Sequence, residues 1–328
     1  MNRRDAIRAL ATTLLVPSAA LPIQASGQTR LRRAVFVTGA PEKTIADWMA
    51  SFREGLRALG YQEGRNLTVD TRYGGVSREA NGQLALEAVA AKPDLIITQA
   101  GLAHQVAALT KMIPIVATYS GDMVDGGLVK SLANPGGNIT GIQLMALDLV
   151  GKRIEILKEM VPSIKRLAVF ASPNHPGVHR ERDASVAAAT KLGVSVAYYP
   201  VKDGKELDAG LVAAQAAGTD GLVMFPDGVT NTGKERIAAF ALQHKLPTVS
   251  GWDVYAIAGG LLTYGPDMRA SWKHLATYVD RILKGAEPGS LPIELPTIFE
   301  LVINLKTARA LGVKVPQSVL LRADRVIE

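Results

Sequence analysis

The residues of this chain best suited to bind something are rings, hydroxyls, amides and carboxylates that each follow a short apolar run. Thr38-Gly39-Ala40, Gln99-Ala100-Gly101 and Tyr119-Ser120-Gly121-Asp122 end three such runs in the first half. Ser172-Pro173-Asn174, Phe225-Pro226-Asp227 and Gly251-Trp252-Asp253 end three in the second. Tyr119 and Trp252 can hold a flat ligand between their faces, with Tyr264 a third candidate ring. Thr38, Gln99, Ser120 and Asn174 supply hydroxyls and amides, and Gly39, Ala100 and Gly101 supply backbone groups. The turn at Gln99-Ala100-Gly101 leads into a helix at about Ala103, and N–H groups at a helix start suit a carboxylate. Asp122 and Asp227 can face an ammonium group, although an aspartate in either place can equally cap the next helix. An α-amino acid or related aromatic compound would use all three kinds of group. A small aromatic acid or amide would use most of them.

Motifs for other chemistry fail on detail. Gly228 to Glu235 approaches a phosphate-binding loop, but Glu235 replaces the hydroxyl residue that holds magnesium, and its carboxylate repels phosphate. His175 and His179 are spaced as helical metal ligands, yet Pro176-Gly177 interrupts the helix and no further histidine or cysteine lies nearby. The 328 residues contain no cysteine, which excludes disulfides, thiolate ligands, a cysteine nucleophile and a lipidated cysteine. No serine elbow or dinucleotide glycine fingerprint follows an apolar run. No cofactor and no metal is therefore expected. An exported hydrolase or isomerase using Asp122 and Asp227 would lack any nucleophile–base arrangement. The net charge of +7 is scattered without a basic run, as on a solvated surface, and gives no nucleic-acid footprint.

The candidate residues need elements to hold them. Strands are expected at 34–38, 67–72, 95–98 and 115–119, and again at 167–171, 194–200, 221–225 and 248–250. Helices are expected between them, at 45–59, 81–91, 180–192, 205–217 and 234–244. Such alternation builds parallel, doubly wound sheets. The unit is also duplicated. Residues 113–129 and 246–262 align without a gap, sharing Pro114 with Pro247, Val116 with Val249, and Gly126-Gly127-Leu128 with Gly259-Gly260-Leu261. This register sets Tyr119 against Trp252. Two similar halves predict two lobes, and ligands of open parallel sheets bind beyond the carboxyl ends of the strands.

Glycine- and proline-rich joints at 134–141, 263–266 and 291–296 divide the chain, with a helix expected at 268–283, a strand at 299–304 and a helix at 306–311. Lobe one is expected to comprise residues 32–141 plus 265–288, and lobe two residues 142–264 plus 289–328, joined by a three-strand hinge. Residues 1–25 read as an export signal: Arg3, Arg4 and Arg8 precede an apolar stretch, and Ala25 offers a small cleavage residue. The Arg3-Arg4 pair resembles a twin-arginine signal, with Ala6 where that pattern has an aromatic residue. No later run is apolar enough to cross a bilayer, so a soluble, periplasmic, monomeric protein is expected.

Further segments carry a family resemblance: Phe52-Arg53-Glu54-Gly55-Leu56, Leu59-Gly60-Tyr61, Glu63-Gly64-Arg65-Asn66, residues 134–141 and 151–162, Tyr264-Gly265-Pro266-Asp267, residues 280–285 and residues 299–306. Together they make residues 32–327 resemble the solute-binding proteins of ABC transporters, in the tryptophan- and tyrosine-binding-like group. The resemblance implies a type I periplasmic-binding fold, non-enzymatic capture of a small solute between lobes, and delivery to ABC transporter permease subunits in the membrane. A sensor-type binding module without a transport role would share these features.

Overall fold

The computed structural model describes residues 30–75, 77–144 and 149–328, so the export signal expected at residues 1–25 lies outside the described residues. The first half forms β1 (Arg32–Thr38), α1 (Glu42–Ala58), β2 (Leu67–Tyr73), α2 (Arg78–Ala90), β3 (Leu95–Gln99), α3 (Leu102–Leu109), β4 (Ile115–Tyr119) and β5 (Ile139–Gln143). The chain then runs through α4 (Val150–Met160), β6 (Arg166–Ala171), α5 (Val178–Lys191), β7 (Ser195–Pro200), α6 (Gly204–Ala216) and β8 (Gly221–Met224). After these come α7 (Gly228–Thr232), α8 (Lys234–Gln243), β9 (Thr248–Ser250), α9 (Val254–Ile257) and β10 (Leu262–Pro266). The last elements are α10 (Met268–Leu283), β11 (Phe299–Asn304), α11 (Leu305–Leu311), α12 (Gln317–Leu320) and β12 (Arg325–Ile327).

Two sheets result, which makes the protein an α/β fold of two parallel-sheet lobes. One has the order β2-β1-β3-β4-β5 and is parallel throughout; the other has the order β12-β11-β10-β9-β8-β6-β7. The inner strands read as unbroken apolar runs because helices cover both faces of each sheet; β4, for example, is buried at all five positions. In lobe one, α1 and α10 seal one face through Ile45, Trp48, Phe52, Trp272 and Val279. The other face packs on α2 and α3 through Ala85, Ala88, Ala103 and Val106. The spacing of Ile45, Trp48, Met49, Phe52 and Leu56 on α1 is the three-and-four repeat of a helix with one buried side. Lobe two has its own pair of cores, one on each side of its sheet.

Three features depart from the expected pattern. The joints at 134–141 and 263–266 contain true strands, β5 and β10, disguised by Thr140-Gly141 and by Tyr264-Gly265-Pro266. Strand β11 runs antiparallel to β10, so the second sheet is mixed. Leu291 to Glu294, assigned by sequence to lobe two, lie along β5 instead. The Thr140 hydroxyl donates to the Leu291 carbonyl at 2.8 Å, and the Gln143 N–H to the Glu294 carbonyl at 2.9 Å. Both Leu291 and Ile293 join lobe-one cores, which moves the third crossing to the stretch between Glu294 and Phe299.

The crossing strands touch their neighbours at backbone distance. A Cβ on Gly141, whose φ is +143°, would overlap the Ala117 backbone, and one on Gly265 would overlap the Gly251 carbonyl.

Candidate functional site

The strand orders fix where a ligand crevice forms. In each sheet the connections leave in opposite directions from one neighbouring pair, β1 and β3 in the first and β6 and β8 in the second. The crevice of an open parallel sheet opens at that pair's carboxyl ends. Here both crevices face one cavity of about 500 Å3. Gly39 and Ala40 follow β1, and Ala100 and Gly101 follow β3; Ser172, Asn174 and His175 follow β6, and Pro226 and Asp227 follow β8. That volume lies within the range usual for small-molecule sites.

Of the twelve residues expected at the site, nine line the cavity: Gly39, Gln99, Ala100, Gly101, Tyr119, Ser120, Asn174, Asp227 and Trp252. Three do not. Thr38 is fully buried behind the wall, where its hydroxyl accepts from the Ala40 N–H at 3.0 Å and from the Gln99 side-chain amide. Asp122 turns away: its Oδ1 accepts from the N–H groups of Val124 and Asp125 at 2.8 and 3.1 Å, shaping the loop after β4. Tyr264 packs on a lobe-two core from β10, and its carbonyl accepts from Arg153 Nε at 2.8 Å. Strand ends alternate in direction, so adjacent residues at one end cannot all face the ligand.

The cavity-lining Asp227 also caps a helix. Its Oδ1 accepts from Val229 and Thr230 N–H at 2.8 and 2.9 Å, and its Oδ2 accepts from Ser172 N–H at 2.6 Å. Burial raises its pKa, while His175 and these three N–H groups pull it down. The start of α7 is thereby satisfied by the protein itself. The start of α3 is different: its N-cap is Gly101, with no side-chain cap. Ala100, just before it, holds a left-handed φ of +51°, a cost for a residue with a Cβ. The N–H groups of Ala103 and His104 already donate to the Ala100 and Gly101 carbonyls at 3.1 and 3.2 Å, so the donors that the start of α3 can offer the cavity are the N–H groups of Gly101 and Leu102.

The cavity also draws on side chains that strand ends could not announce. Trp48, from the middle of α1, meets Trp252 edge to face, with centroids 5.2 Å apart and planes at 87°. The ring beside Tyr119 is His104 of α3, its Nε2 2.8 Å from the phenol oxygen. Burial pushes the Tyr119 phenol up to about 12, with Asp122 adding to it, and lowers His104, so this pair is neutral near pH 7. Asn81 and Gln105 from lobe one and Asn231 from lobe two each bring a buried amide oxygen with no hydrogen-bond partner. His175 is buried against Glu181, Nε2 to Oε2 3.1 Å. Burial opposes charge on its ring, but Glu181 and Asp227 outweigh that and raise its pKa. Among the described residues no group of acidic or histidine side chains could hold a metal ion, and no helix is long and apolar enough to cross a membrane.

Comparison with known proteins adds three findings. Residues 36–327 match the profile of a family described as ABC transporter substrate binding protein. The chain is 25% identical over 265 residues to the tyrosine-binding protein of Clostridioides difficile, spanning 80% of this chain and 76% of that one. Two solved structures superpose closely, each match covering 90% of this chain and 99% of the other. A conserved domain protein from Vibrio cholerae gives a TM-score of 0.84 at 28% identity. The ABC domain in complex with L-Trp from Streptococcus pneumoniae gives 0.83 at 23% identity, a likeness of fold.

Proposed function

Because this chain belongs to the ABC transporter substrate-binding protein family, we propose that it is an exported receptor of an importer. It captures one small polar solute between its lobes in the periplasm and presents it to permease subunits in the membrane. The observation that carries this reading is the single cavity at both sheet switch points, with walls supplied by each lobe. Such a site is completed only when the lobes come together, as in hinge closure around a ligand. The chain acts by binding and not by catalysis: its cavity histidines are engaged by Tyr119 and Glu181, and its carboxylate by three backbone N–H groups.

The solute is an amino acid or a related aromatic compound. Trp48, Trp252, Leu144 and Met268 give the cavity apolar walls for a flat group, and the uncapped start of α3 suits a carboxylate. The amide oxygens of Asn81, Gln105 and Asn231 call for N–H donors on the ligand. The relative that binds tyrosine and the structural neighbour holding L-Trp support the same class.

A thermal-shift screen against amino acids, aromatic acids and nucleobases tests this. A true ligand at 100 times its Kd stabilises the fold by about 2.7 kcal/mol, and it should change Trp252 fluorescence. If another solute class alone shifts the melting curve, the amino-acid assignment falls and the receptor stands. If no small solute of any class binds, the receptor reading itself fails.

A further inference from the structure

The lobes are also joined by a contact away from the three crossings. Helix α5 of lobe two starts after Gly177, which has a left-handed φ of +79°, and its first turn carries Arg180 and Glu181 side by side. Glu181 points inward, fully buried, and fixes that turn to the cavity wall through His175. Arg180 points outward and reaches lobe one. Its guanidinium pairs with Asp125 and lies 3.7 Å from the free carboxylate oxygen of Asp122. Both aspartates belong to the loop after β4, which Asp122 itself shapes through two backbone N–H groups. Beside this ion triad, Gly121 of lobe one lies against Pro176 of lobe two, so closely that a Cβ on Gly121 would be 2.9 Å from the Pro176 carbonyl oxygen. Ser120 and Pro176 both line the cavity, which puts the contact at the cavity's edge.

We propose that Arg180 with Asp122 and Asp125 is an electrostatic latch that holds the lobes together over the cavity. The proposal rests on the receptor reading only in taking closure as the functional motion. Each half is positioned by contacts inside its own lobe, so lobe separation at this point breaks the ion contacts and the apposition of Gly121 and Pro176. The Arg269–Asp253 pair, at 3.1 Å, also links the lobes, but Arg269 lies three residues beyond β10, where the chain itself ties them. The latch therefore discriminates between lobe arrangements, and the hinge-side pair does not. Its side chains are 30% to 59% exposed. Exposed pairs of this kind contribute little singly, so losing the latch should lower the ratio of closed to open molecules about two- to fivefold. A receptor's apparent affinity scales with the fraction of molecules in the competent state, so solute affinity should fall by up to the same factor.

The chain has no cysteine, so Leu86→Cys on α2 and Val186→Cys on α5, both exposed, give a unique spin-label pair spanning the lobes. Distance distributions are measured without any solute, at about 0.05 and 0.5 M salt, a range over which exposed charges become screened. The expected result is a short-distance population in low salt whose ratio to the long-distance population falls two- to fivefold with Arg180→Asp. In high salt the parent's ratio should fall similarly, whereas the variant's should hold or recover slightly as repulsion among its three carboxylates is screened, and the swap Arg180→Asp plus Asp125→Arg should restore the parent's ratio in low salt. Superimposable distributions for parent and Arg180→Asp would overturn the latch, as would a parent with no short-distance population in low salt. Neither outcome depends on solute, so a failed latch leaves the receptor reading to the screen above.

Discussion

Asn231 sits on the five-residue helix α7, 3% exposed; it is among the residues that line the cavity, and its Oδ1 is buried with no hydrogen-bond partner. A buried acceptor left unmade costs about 1–3 kcal/mol, and a ligand N–H recovers it. Asn231→Leu should therefore weaken L-tryptophan, or whichever solute the screen returns, by roughly tenfold or more while leaving the free protein as stable or slightly more so. Calorimetric titration showing unchanged affinity would remove this oxygen from the recognition set. Glu300 is the residue to watch for pH. It sits on β11 opposite Gly265, and burial raises its pKa to about 7, with Asp253 adding to the rise and Arg325 opposing it. A carboxyl that is more basic folded than unfolded contributes stability at low pH, and that contribution is lost as pH rises from about 4.5 through about 7. The side chain is partly exposed, so we expect Glu300→Gln to gain only about 1 kcal/mol at pH 8 and to flatten the melting temperature across that window. An unaltered slope would assign the pH dependence to other groups. At this scale the strand-end residues were legible because topology aims them: Gln99, Asp227 and Trp252 follow apolar runs and do line the cavity. Trp48, Asn81 and Asn231 were not, since each occupies a helix position that in sequence looks like any amphipathic face. Asp122, read as a ligand contact, shapes a loop, because an aspartate two residues before free N–H groups finds them first.

Among the elements, the inner strands and the amphipathic helices were readable from period alone: β4, β9, α10 and β11 begin and end where the pattern places them. The crossing strands were not, because backbone closeness selects glycine and threonine there and erases the apolar signal. That closeness is testable by making one substitution at two glycines. Gly265→Ala would drive a Cβ into the Gly251 carbonyl and force β9 and β10 apart. Overpacking of this severity should cost about 1–3 kcal/mol or more. Gly82→Ala, inside α2 with nothing within 4 Å of its Cβ, should instead stabilise by about 0.5–1 kcal/mol through helix propensity. Chemical denaturation of the two variants gives both signs directly. If Gly265→Ala unfolds at the parent midpoint, β10 does not pack against β9 as described.

For the whole molecule, the duplicated unit carries the fold, and its imperfections carry the function. Two sheets of related order each open at one switch point, and the chain's return to the first sheet through α10 turns these openings toward a common cavity. The duplication was legible in the gapless alignment of residues 113–129 with 246–262. The facing of the two halves was not, because it depends on which strands cross. The first strand begins at Arg32, where the backbone N–H of Arg32 donates to the Asn66 carbonyl at 3.0 Å, and the family match begins at residue 36. Cleavage after Ala25 would leave that strand and its bond to Asn66 whole. Mature protein from a periplasmic extract should therefore start near Ser26 by intact mass and melt within about 2 °C of the uncleaved chain. The tolerance follows because a loss of 1 kcal/mol in a domain of this size would already move the midpoint by about 2–4 °C. Soluble protein retaining Met1 or Asn2 in the cytoplasm would refute export. A large drop in melting temperature on cleavage would show that the leader packs on the folded body.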